Sequence, residues 1–273
     1  SLFTILKRAL QPRADSPRIV ADSLYNLSVI LYNSLMANKS ISVFLPALNE
    51  EQNIKDCVSS VNKYLHKRFK DYEILVIASG STDKTAEIVS NLTKENKLIE
   101  LINFKRKLGY GTALRSGFTR SSKELIFYTD SDNQFDIRDM DKLLPLLKSY
   151  DIISGYRINR QDPPMRIFVA NVYNLLIRIL FNFKVKDVDS SFKLYKREVF
   201  DNIQLKSKTG LIDAEVLIKA KKNGFSIGQI GVTHYPRTRG RTVYGVGKRN
   251  TFVRPRVILD VLWEIKKLWK DLR

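Results

Sequence analysis

Residues 41–78, ISVFLPALNEEQNIKDCVSSVNKYLHKRFKDYEILVIA, decide the fold. The stretch begins with a compact apolar run, ISVFLPA (41–47), and ends with a second one, YEILVIA (72–78), and both runs are typical of buried strands. Between the two runs, apolar residues recur at the spacing of one helix face, at Ile54, Cys57, Val58, Val61 and Leu65. The stretch therefore predicts a strand, a helix and a second strand.

The same alternation continues along the chain. A third apolar run, LIELINF (98–104), and a fourth, ELIFYTD (124–130), each follow a further predicted helix. We expect Asn49 and Ser81 to cap the first two helices, because short polar side chains accept hydrogen bonds from the free amides of a first turn. Strands that alternate with helices of this length predict an α/β fold, a mostly parallel sheet flanked by helices.

The second half of the chain is less regular. We predict strands over 151–157 and 225–236, a strand followed by a helix over 185–200, and helices over 166–183, 210–224 and 250–273. The stretch 236–249 is basic and rich in glycine, which is typical of a mobile loop that orders around an anion. We divide the chain into an N-terminal helical arm (1–39), a catalytic α/β domain (40–235) and a basic loop with a C-terminal amphipathic helix (236–273).

The charge balance points to an anionic partner. The chain has 47 Lys and Arg against 28 Asp and Glu, a net charge of +19. A membrane surface or a phosphorylated ligand accounts for this excess. Nucleic acid is not expected, because the aromatic residues lie within apolar runs and no nucleic-acid-binding motif is present. No apolar run reaches the roughly 18–20 uninterrupted residues of a spanning helix.

Polar residues follow each of the first four predicted strands. They are Asn49 and Glu50, then residues 79–83, 105–111 and 130–134. Ligands of such sheets gather at the carboxyl ends of the strands. We therefore expect these four segments to converge on one site.

The fourth strand runs into two closely spaced carboxylates, Asp130 and Asp132, in YTDSDNQFD (128–136). Two such groups repel each other unless a cation lies between them. Carboxylate and amide oxygens suit Mg²⁺ or Mn²⁺, which also binds substrate phosphates. We predict that Asp130, Asp132 and Gln134 hold such an ion on a diphosphate, while a solvated acidic turn remains the alternative reading of this motif alone.

Several motifs, taken in order, resemble those of one family. They are PALNEEQNI (46–54), VIASGSTDKTAEIV (76–89), GYGTALRSGF (109–118), YTDSDNQFD (128–136), SGYR (154–157), DVDSSFKLYKREVF (187–200) and HYPRTRG (234–240). This series resembles the family-2 inverting glycosyltransferases of GT-A (Rossmann-like) fold, and it is most similar to their dolichyl- and polyprenyl-phosphate branch, which includes dolichol-phosphate mannosyltransferases. The resemblance covers about residues 40–245.

The resemblance implies roles for the residues that match the family's motifs. Binding of the nucleotide sugar is implied for Pro46, Leu48, Glu50, Ser79, Gly80, Asp83, Gly109, Gly111, Arg115 and Asp130. Binding of the acceptor's phosphate is implied for Arg157, Arg166, Arg237 and Arg239. Catalytic roles are implied for Asp130, Asp132, Arg157 and Asp189, of which Asp189 borders the sugar.

The chain departs from the family pattern before Gly80. Ala78 and Ser79 stand where members usually carry two acidic residues. Ser79 can form hydrogen bonds but brings no charge, so the resemblance leaves open whether the donor carries GDP or UDP. A second departure is Ala170, where some relatives have a phosphate-binding serine.

The resemblance implies a function at a membrane. It implies metal-dependent, inverting transfer of a hexose from a donor of the GDP-mannose or UDP-glucose type to a polyprenyl or dolichyl phosphate. We expect this at the cytoplasmic face of a membrane, with the protein held peripherally or through segments outside this chain. The helices over 166–183 and 250–273 have the basic and aromatic residues of interfacial helices, and core packing is the alternative for each.

Two other functions remain open from the residues. The first is transfer to a saccharide or other hydroxyl, which needs a base and for which Asp189 or Asp213 would serve. A lipid phosphate needs no base, because its oxygen is already ionised. The second is a non-catalytic module that binds a nucleotide sugar. No oligomeric state is predicted.

Overall fold

The computed structural model of the protein describes residues 38–160, 162–182, 184–240, 245–246, 252–253 and 255–273. Residues 1–37 of the predicted N-terminal helical arm lie outside the described residues. The division of the chain into three parts therefore stays a prediction.

A seven-stranded sheet forms the centre of the molecule. Its strands are β1 (Ser40–Ala47), β2 (Asp71–Ser79), β3 (Ile99–Phe104), β4 (Leu125–Tyr128), β5 (Ile152–Ile158), β6 (Lys193–Lys196) and β7 (Ile227–Thr233). They lie in the order β3-β2-β1-β4-β6-β5-β7. Only β6 runs antiparallel to its neighbours in this sheet. The mostly parallel sheet predicted from the sequence is confirmed, and its first four strands lie close to the predicted positions.

Helices flank the sheet. They are α1 (Ile54–Arg68), α2 (Thr85–Glu95), α3 (Tyr110–Arg120), α4 (Met140–Leu143), α5 (Pro164–Phe181), α6 (Glu198–Asp201), α7 (Ile212–Lys222) and α8 (Pro255–Leu272). Short 3₁₀ turns at Ile137–Asp139 and Leu144–Lys148 flank α4. A small antiparallel ribbon pairs β8 (Gly245–Val246) with β9 (Phe252–Val253).

Successive side chains of β1 point to opposite faces of the sheet, and each face has its own apolar core. Val43 and Leu45 belong to the cluster that α1 covers, and Phe44 belongs to the cluster that contains α3, α7 and α8. All three side chains are fully buried. This two-sided burial explains why the strands read as continuous apolar runs rather than as alternating ones.

The first two helices do not begin where the sequence predicts. Asn49 has φ 57° and lies ahead of α1, which begins at Ile54 after Asn53. Ser81 lies ahead of α2, which begins at Thr85. Each of these two residues instead bonds to the loop that contains the other. The amide of Asn49 donates to Ser81 Oγ at 3.2 Å, and the amide of Thr82 donates to Asn49 Oδ1 at 2.8 Å. The capping prediction was therefore wrong for both residues.

The C-terminal helix α8 belongs to the core on one side only. Its residues Ile265, Leu268 and Leu272 are buried in the second cluster. Its Glu264 accepts hydrogen bonds from Ser207 Oγ at 2.6 Å and from the amide of Lys208 at 2.8 Å. The opposite side exposes a set of large apolar residues, Ile258, Leu259, Leu262 and Trp263.

Helix α5 carries a second exposed apolar face, formed by Met165, Phe168, Val172, Leu175 and Ile179. Among the helices that the structure describes, α5 alone is long and apolar enough to cross a membrane by length and composition, with a mean hydropathy of 1.3. Its apolar run is interrupted by Arg166 and Arg178, so the prediction that no uninterrupted apolar run reaches this length is not contradicted. Only 11% of the helix is buried within the protein, so its apolar face is not accounted for by core packing.

Candidate active site

Hydrogen bonds join the loops that follow β1 and β2 at the carboxyl edge of the sheet. The Asp83 carboxylate accepts hydrogen bonds from the amides of Glu51 and Thr85, both at 3.0 Å. Burial raises the pKa of Asp83, but the hydrogen bonds from Thr85 and Glu51 outweigh this effect and hold it below its ordinary value. The predicted donor-binding residue Asp83 thus joins the two loops, and its carboxylate is occupied within the protein.

Ser79 joins the end of β2 to the loop after β3. Its hydroxyl accepts a hydrogen bond from the amide of Leu108 at 3.0 Å. The next residue, Gly80, has φ 68°, and a Cβ there would lie 2.5 Å from the amide nitrogen of Lys107. The serine that replaces the family's usual acid therefore makes a structural bond, and Gly80 permits the close approach of the two loops.

The glycine-rich segment at the start of α3 packs against residues 207–209, which donate hydrogen bonds to Glu264. The amide of Gly111 donates to the Lys208 carbonyl at 3.1 Å. A Cβ on Gly111 would lie 2.5 Å from the Thr209 carbonyl oxygen, and one on Gly109, where φ is 83°, would lie 3.0 Å from that of Lys208. This close packing explains why glycine occupies both positions. Arg115 is similarly engaged, since its guanidinium donates to the Leu205 carbonyl at 3.4 Å.

Two of the three predicted metal ligands, Asp130 and Asp132, follow the end of β4. The Asp130 carboxylate accepts a hydrogen bond from Ser191 Oγ at 2.6 Å. Burial and the neighbouring charge of Asp132 raise the pKa of Asp130 to about 7. Burial also raises the pKa of Asp132, against the opposing charge of Arg237. Both carboxylates are therefore buried with only partial compensation of their charge by the protein.

This carboxylate pair fits a divalent cation. The donors are hard oxygens, and a cation would relieve the repulsion that raises the pKa of Asp130. Within the described part of the chain, no group of three or more His, Cys, Asp or Glu side chains could hold a metal ion. A metal at Asp130 and Asp132 would therefore take its other ligands from water or a substrate, which is how Mg²⁺ is commonly bound.

Gln134 connects the carboxylate loop to the end of β7. Its side-chain amide nitrogen donates to the Tyr235 carbonyl at 2.9 Å, and the Tyr235 amide donates to the Gln134 carbonyl at 2.7 Å. Phe135 and His234 form an adjoining antiparallel bridge. These bonds bring the basic loop after β7 directly beside Asp132.

Arg237 bridges the carboxylate loop and the β1 loop. One terminal nitrogen donates to Asp132 Oδ2 at 3.0 Å, and the other donates to both Glu50 carboxylate oxygens at 2.6 and 2.7 Å. Both Glu50 and the guanidinium are largely buried. Arg239 instead pairs with Asp56 at 3.1 Å on the surface of α1. The two predicted acceptor-phosphate residues of this loop are thus paired with carboxylates in this structure.

A second arginine group consists of Arg157, Arg160 and Arg166. Arg157 makes a two-pronged ion pair with Asp187, with both distances 2.7 Å, and Arg160 and Arg166 share Asp162 at 2.8 and 3.2 Å. Burial lowers the pKa of Arg166, and the charges of Arg157 and Arg160 add to this effect. The charge of Arg166 also acts on Asp132, so the group adjoins the carboxylate pair.

Arg160 was not among the residues predicted from the sequence. The signal that could have identified it is the density of arginines, because three fall within residues 157–166. Leu48 and Pro46 are half-buried at the end of β1. The carbonyl of Pro46 accepts a hydrogen bond from Ser131 Oγ at 2.8 Å, which holds the β1 loop against the carboxylate loop.

Asp189 and Asp213 occupy different environments. Asp213 is buried and paired with Lys193 Nζ at 2.7 Å, and the Tyr128 hydroxyl donates to it. Asp189 is open to solvent, yet removal of water by the surrounding protein, together with the charge of Asp213, raises its pKa to about 7. Of the two base candidates, only Asp189 is accessible to an acceptor.

Residues 42–204 match the family model described as Glycosyl transferase family 2. The chain belongs to this family. The match includes Asp130, Asp132, Arg157 and Asp189, so the resemblance in the sequence is confirmed at the level of the family.

Curated relatives support the branch as well as the family. Glycosyltransferase AglD of Haloferax volcanii is 28% identical over 74% of this chain and 34% of its own length. A dolichyl-phosphate beta-glucosyltransferase of Trichomonas vaginalis is 29% identical over 69% of this chain and 61% of its own length. A dodecaprenyl-phosphate galacturonate synthase of Rhizobium johnstonii is 27% identical over 84% of this chain and 68% of its own. The chain thus spans less than two thirds of the first two relatives.

Solved structures confirm the fold. Glucosyl-3-phosphoglycerate synthase of Mycobacterium tuberculosis, crystallised with Mn²⁺, UDP and glucosyl-3-phosphoglycerate, superposes with a TM-score of 0.63 at 20% identity. The similarity covers 78% of this chain and 76% of that one. The predicted GT-A fold is therefore confirmed.

Proposed function

We propose that this family-2 glycosyltransferase transfers a hexose from a nucleotide sugar to a polyprenyl or dolichyl phosphate at a membrane surface. The names of two relatives support this acceptor, since one is a dolichyl-phosphate glucosyltransferase and another a dodecaprenyl-phosphate galacturonate synthase. On this proposal the donor lies over the loops after β1 to β4, and the acceptor approaches from the side of α5.

The observation that carries the proposal is the position of Arg166. This arginine lies on the first turn of α5, and its charge acts on Asp132. The same helix exposes Phe168, Val172 and Ile179 to solvent. An anion held at Arg166 would therefore lie near the donor's diphosphate while an attached apolar chain follows the outer face of α5. A lipid phosphate has this combination of charge and apolar tail.

The acceptor phosphate requires no general base. Its oxygen is ionised at neutral pH, so the protein's task is to hold two anions close together in the orientation for attack. Arg166 and the neighbouring Arg157 and Arg160 offset the repulsion between the two phosphate groups. Attack on the anomeric carbon from the side opposite the departing nucleoside diphosphate inverts that carbon.

On the donor side, Asp130 and Asp132 would hold a Mg²⁺ or Mn²⁺ ion, with Gln134 beside them. When bound, such an ion neutralises charge on the departing diphosphate. Ser191 orients Asp130 through the hydrogen bond from its hydroxyl, and the amide of Gln134 donates to Asp132 Oδ1 at 3.2 Å. The chain thereby fixes both carboxylates before any cation is bound.

Membrane contact would involve two apolar faces, one on α5 and the other on α8. Trp263 lies under Lys267 Nζ, which is 5.2 Å from the centre of its ring. Basic residues beside exposed aromatic and aliphatic side chains are typical of helices that lie in the headgroup plane. Such a location brings the arginine group close to the phosphates of the bilayer and leaves the donor loops open to the aqueous side.

A hydroxyl acceptor is the second candidate function, and Asp189 favours it. An accessible carboxylate with a pKa near 7 suits general-base catalysis. Replacing Asp189 with Asn separates the two candidates. Removal of a required base lowers kcat by about 10²–10⁴-fold, whereas a phosphate acceptor retains most of its turnover.

The proposed function is tested with radiolabelled donors. GDP-mannose, UDP-glucose, UDP-N-acetylglucosamine and UDP-galacturonate are each offered with polyprenyl phosphate and Mn²⁺. The expected product extracts into organic solvent and is labile in mild acid. Asp132→Ala should abolish its formation, while Asp71→Ala, which removes an exposed carboxylate at the opposite edge of the sheet, should not. Undiminished turnover in Asp132→Ala would overturn the proposal.

A further inference from the structure

The guanidinium of Arg237 is fully engaged by the protein. Besides its bonds to Asp132 and Glu50, its Nε donates to the Arg239 carbonyl at 2.9 Å. All three nitrogens therefore donate to oxygen atoms of the protein. In this arrangement Arg237 has little capacity left for a phosphate, although the resemblance in the sequence implies that it binds the acceptor's phosphate.

The loop that carries Arg237 is fastened to the start of α1. The amide of Gly240 donates to Gln52 Oε1 at 3.2 Å, and Asn53 Nδ2 donates to the Arg239 carbonyl at 3.4 Å. Gly240 has φ 72°, and a Cβ there would lie 3.0 Å from Arg237 Nη2. The chain can turn over the guanidinium in this way because residue 240 has no side chain.

The ion pair with Asp132 places the positive charge of Arg237 beside a carboxylate that, on the proposed function, binds a metal ion. Arg237 neutralises Asp132 and Glu50, which lie on the two loops that the donor would use. A divalent cation and the guanidinium compete for the same Asp132 carboxylate. Binding of one therefore weakens binding of the other, and by linkage the effect is equal in both directions.

We propose that Arg237 is a latch that closes the donor site in the empty enzyme and is released when the metal and nucleotide bind. Release frees the guanidinium to pair with the acceptor phosphate, so the donor must load before the acceptor is held tightly. The inference rests on the proposed function, because it assigns the order of binding at that same site. On this proposal the guanidinium exchanges Asp132 and Glu50 for the acceptor phosphate during the cycle.

The first test measures release of the loop directly. The whole chain is treated with trypsin, alone and with Mn²⁺ plus UDP or Mn²⁺ plus GDP, and cleavage after Arg237 is followed by mass spectrometry. A latched arginine is protected, so the nucleotide that binds should speed cleavage at least about fivefold, the lower end of typical coupling between sites. Unchanged or slower cleavage while Mn²⁺ binds would overturn the latch and leave the proposed function intact.

The second test measures the reciprocal effect on Mn²⁺ affinity, from the paramagnetic resonance signal of free Mn²⁺. Arg237→Ala and Gly240→Ala should both bind Mn²⁺ several-fold more tightly than the unaltered protein, the second without any change of charge. Arg239→Ala is the matched control, because it removes an equal charge from the same loop but not from Asp132, and it should leave the affinity unchanged.

The possible results distinguish the two proposals. Tighter binding in Arg237→Ala but not in Gly240→Ala would indicate mere loss of a nearby charge and would overturn the latch. If neither the unaltered protein nor any variant binds Mn²⁺, the metal site of the proposed function fails, and the latch fails with it. Tighter binding in both variants together with faster cleavage supports the latch.

Discussion

Lys193 Nζ lies 2.7 Å from Asp213 Oδ1, and both side chains are buried beneath the carboxyl edge of the sheet. The Tyr128 hydroxyl also donates to Asp213. This ion pair argues against Asp213 as a general base, although it was one of the two candidates predicted for a hydroxyl acceptor. The carboxylate has two partners inside the protein and no path to an acceptor.

We expect either partner of this ion pair to be essential for stability. Asp213→Asn or Lys193→Met should lower the free energy of unfolding by about 3–5 kcal/mol, because each leaves one buried charge uncompensated. Urea unfolding at neutral pH measures the loss. The double variant should recover part of it, since no isolated charge remains. A double variant whose loss equals the sum of the two single losses would contradict this account.

Gly80→Ala should destabilise the protein by about 1–3 kcal/mol. The added Cβ would meet the Lys107 backbone in a left-handed conformation that favours glycine. Gly210→Ala is the control, because a Cβ there meets nothing within 4 Å and its φ is not in the left-handed region. Thermal unfolding compares the two. Similar melting temperatures for both variants would show that the contact between the loops after β2 and β3 is not tight.

The sequence predicts the sheet well because both faces of the sheet are buried. A buried parallel strand is a continuous apolar run, and the polar residues that follow it mark the edge of the sheet where ligands bind. The direction of β6 is not evident in this way, because Lys193–Lys196 is too short and mixed for its neighbours to be inferred. The helix starts were mispredicted because Asn49 and Ser81 satisfy groups on each other's loops rather than in their own helices.

The partners of the site residues are the part that the sequence could not provide. Arg237 is 105 residues from Asp132 and 187 from Glu50 along the chain. Its motif indicates a phosphate, and nothing local indicates that two carboxylates hold it when the donor is absent. Ion pairs over such separations depend on the finished topology, whereas apolar periodicity is local.

Arg166→Ala should impair the acceptor and spare the donor. Loss of a charged hydrogen bond costs about 1.5–3 kcal/mol, so kcat/KM for polyprenyl phosphate should fall roughly 10- to 150-fold. Binding of Mn²⁺ and nucleotide, measured by calorimetry, should change little. Arg68→Ala is the control, because it removes an equal charge from an ion pair with Asp141 on the surface. If the affinity for Mn²⁺ and nucleotide fell as much as kcat/KM for polyprenyl phosphate, the placement of the acceptor at α5 would be contradicted.

The exposed face of α5 should determine binding to vesicles. Phe168→Ser with Ile179→Ser should reduce co-sedimentation with anionic phospholipid vesicles by tenfold or more, since burial of a large apolar side chain contributes about 1.5–3 kcal/mol. Both residues are more than 60% exposed, so the folded chain should lose little stability. Leu98→Ser alters an exposed leucine just before β3 and serves as the control. Unchanged sedimentation of the double variant would remove α5 from the membrane contact.

His234 should make the protein less stable in mild acid. Burial and then the charge of Arg157 lower its pKa from 6.5 to about 4, with Arg160, Asp162 and Asp187 also nearby. The unfolded chain therefore takes up a proton below pH 6.5 that the folded chain refuses until about pH 4. The unfolded state binds more protons in that window. The free energy of unfolding therefore decreases as the pH is lowered through it, by at most about 1.4 kcal/mol per pH unit for one proton.

The variant His234→Phe isolates this contribution from those of the carboxylates. The imidazole already packs against Phe135 with 5.0 Å between the ring centres, and its buried Nδ1 has no hydrogen-bond partner among the described residues. A phenyl ring should therefore fit with little loss at pH 7. As the pH falls from 6.5 to 4.5, urea unfolding should show the variant gaining stability relative to the unaltered protein. A difference between the two that does not change with pH would show that His234 is not buried as a neutral ring.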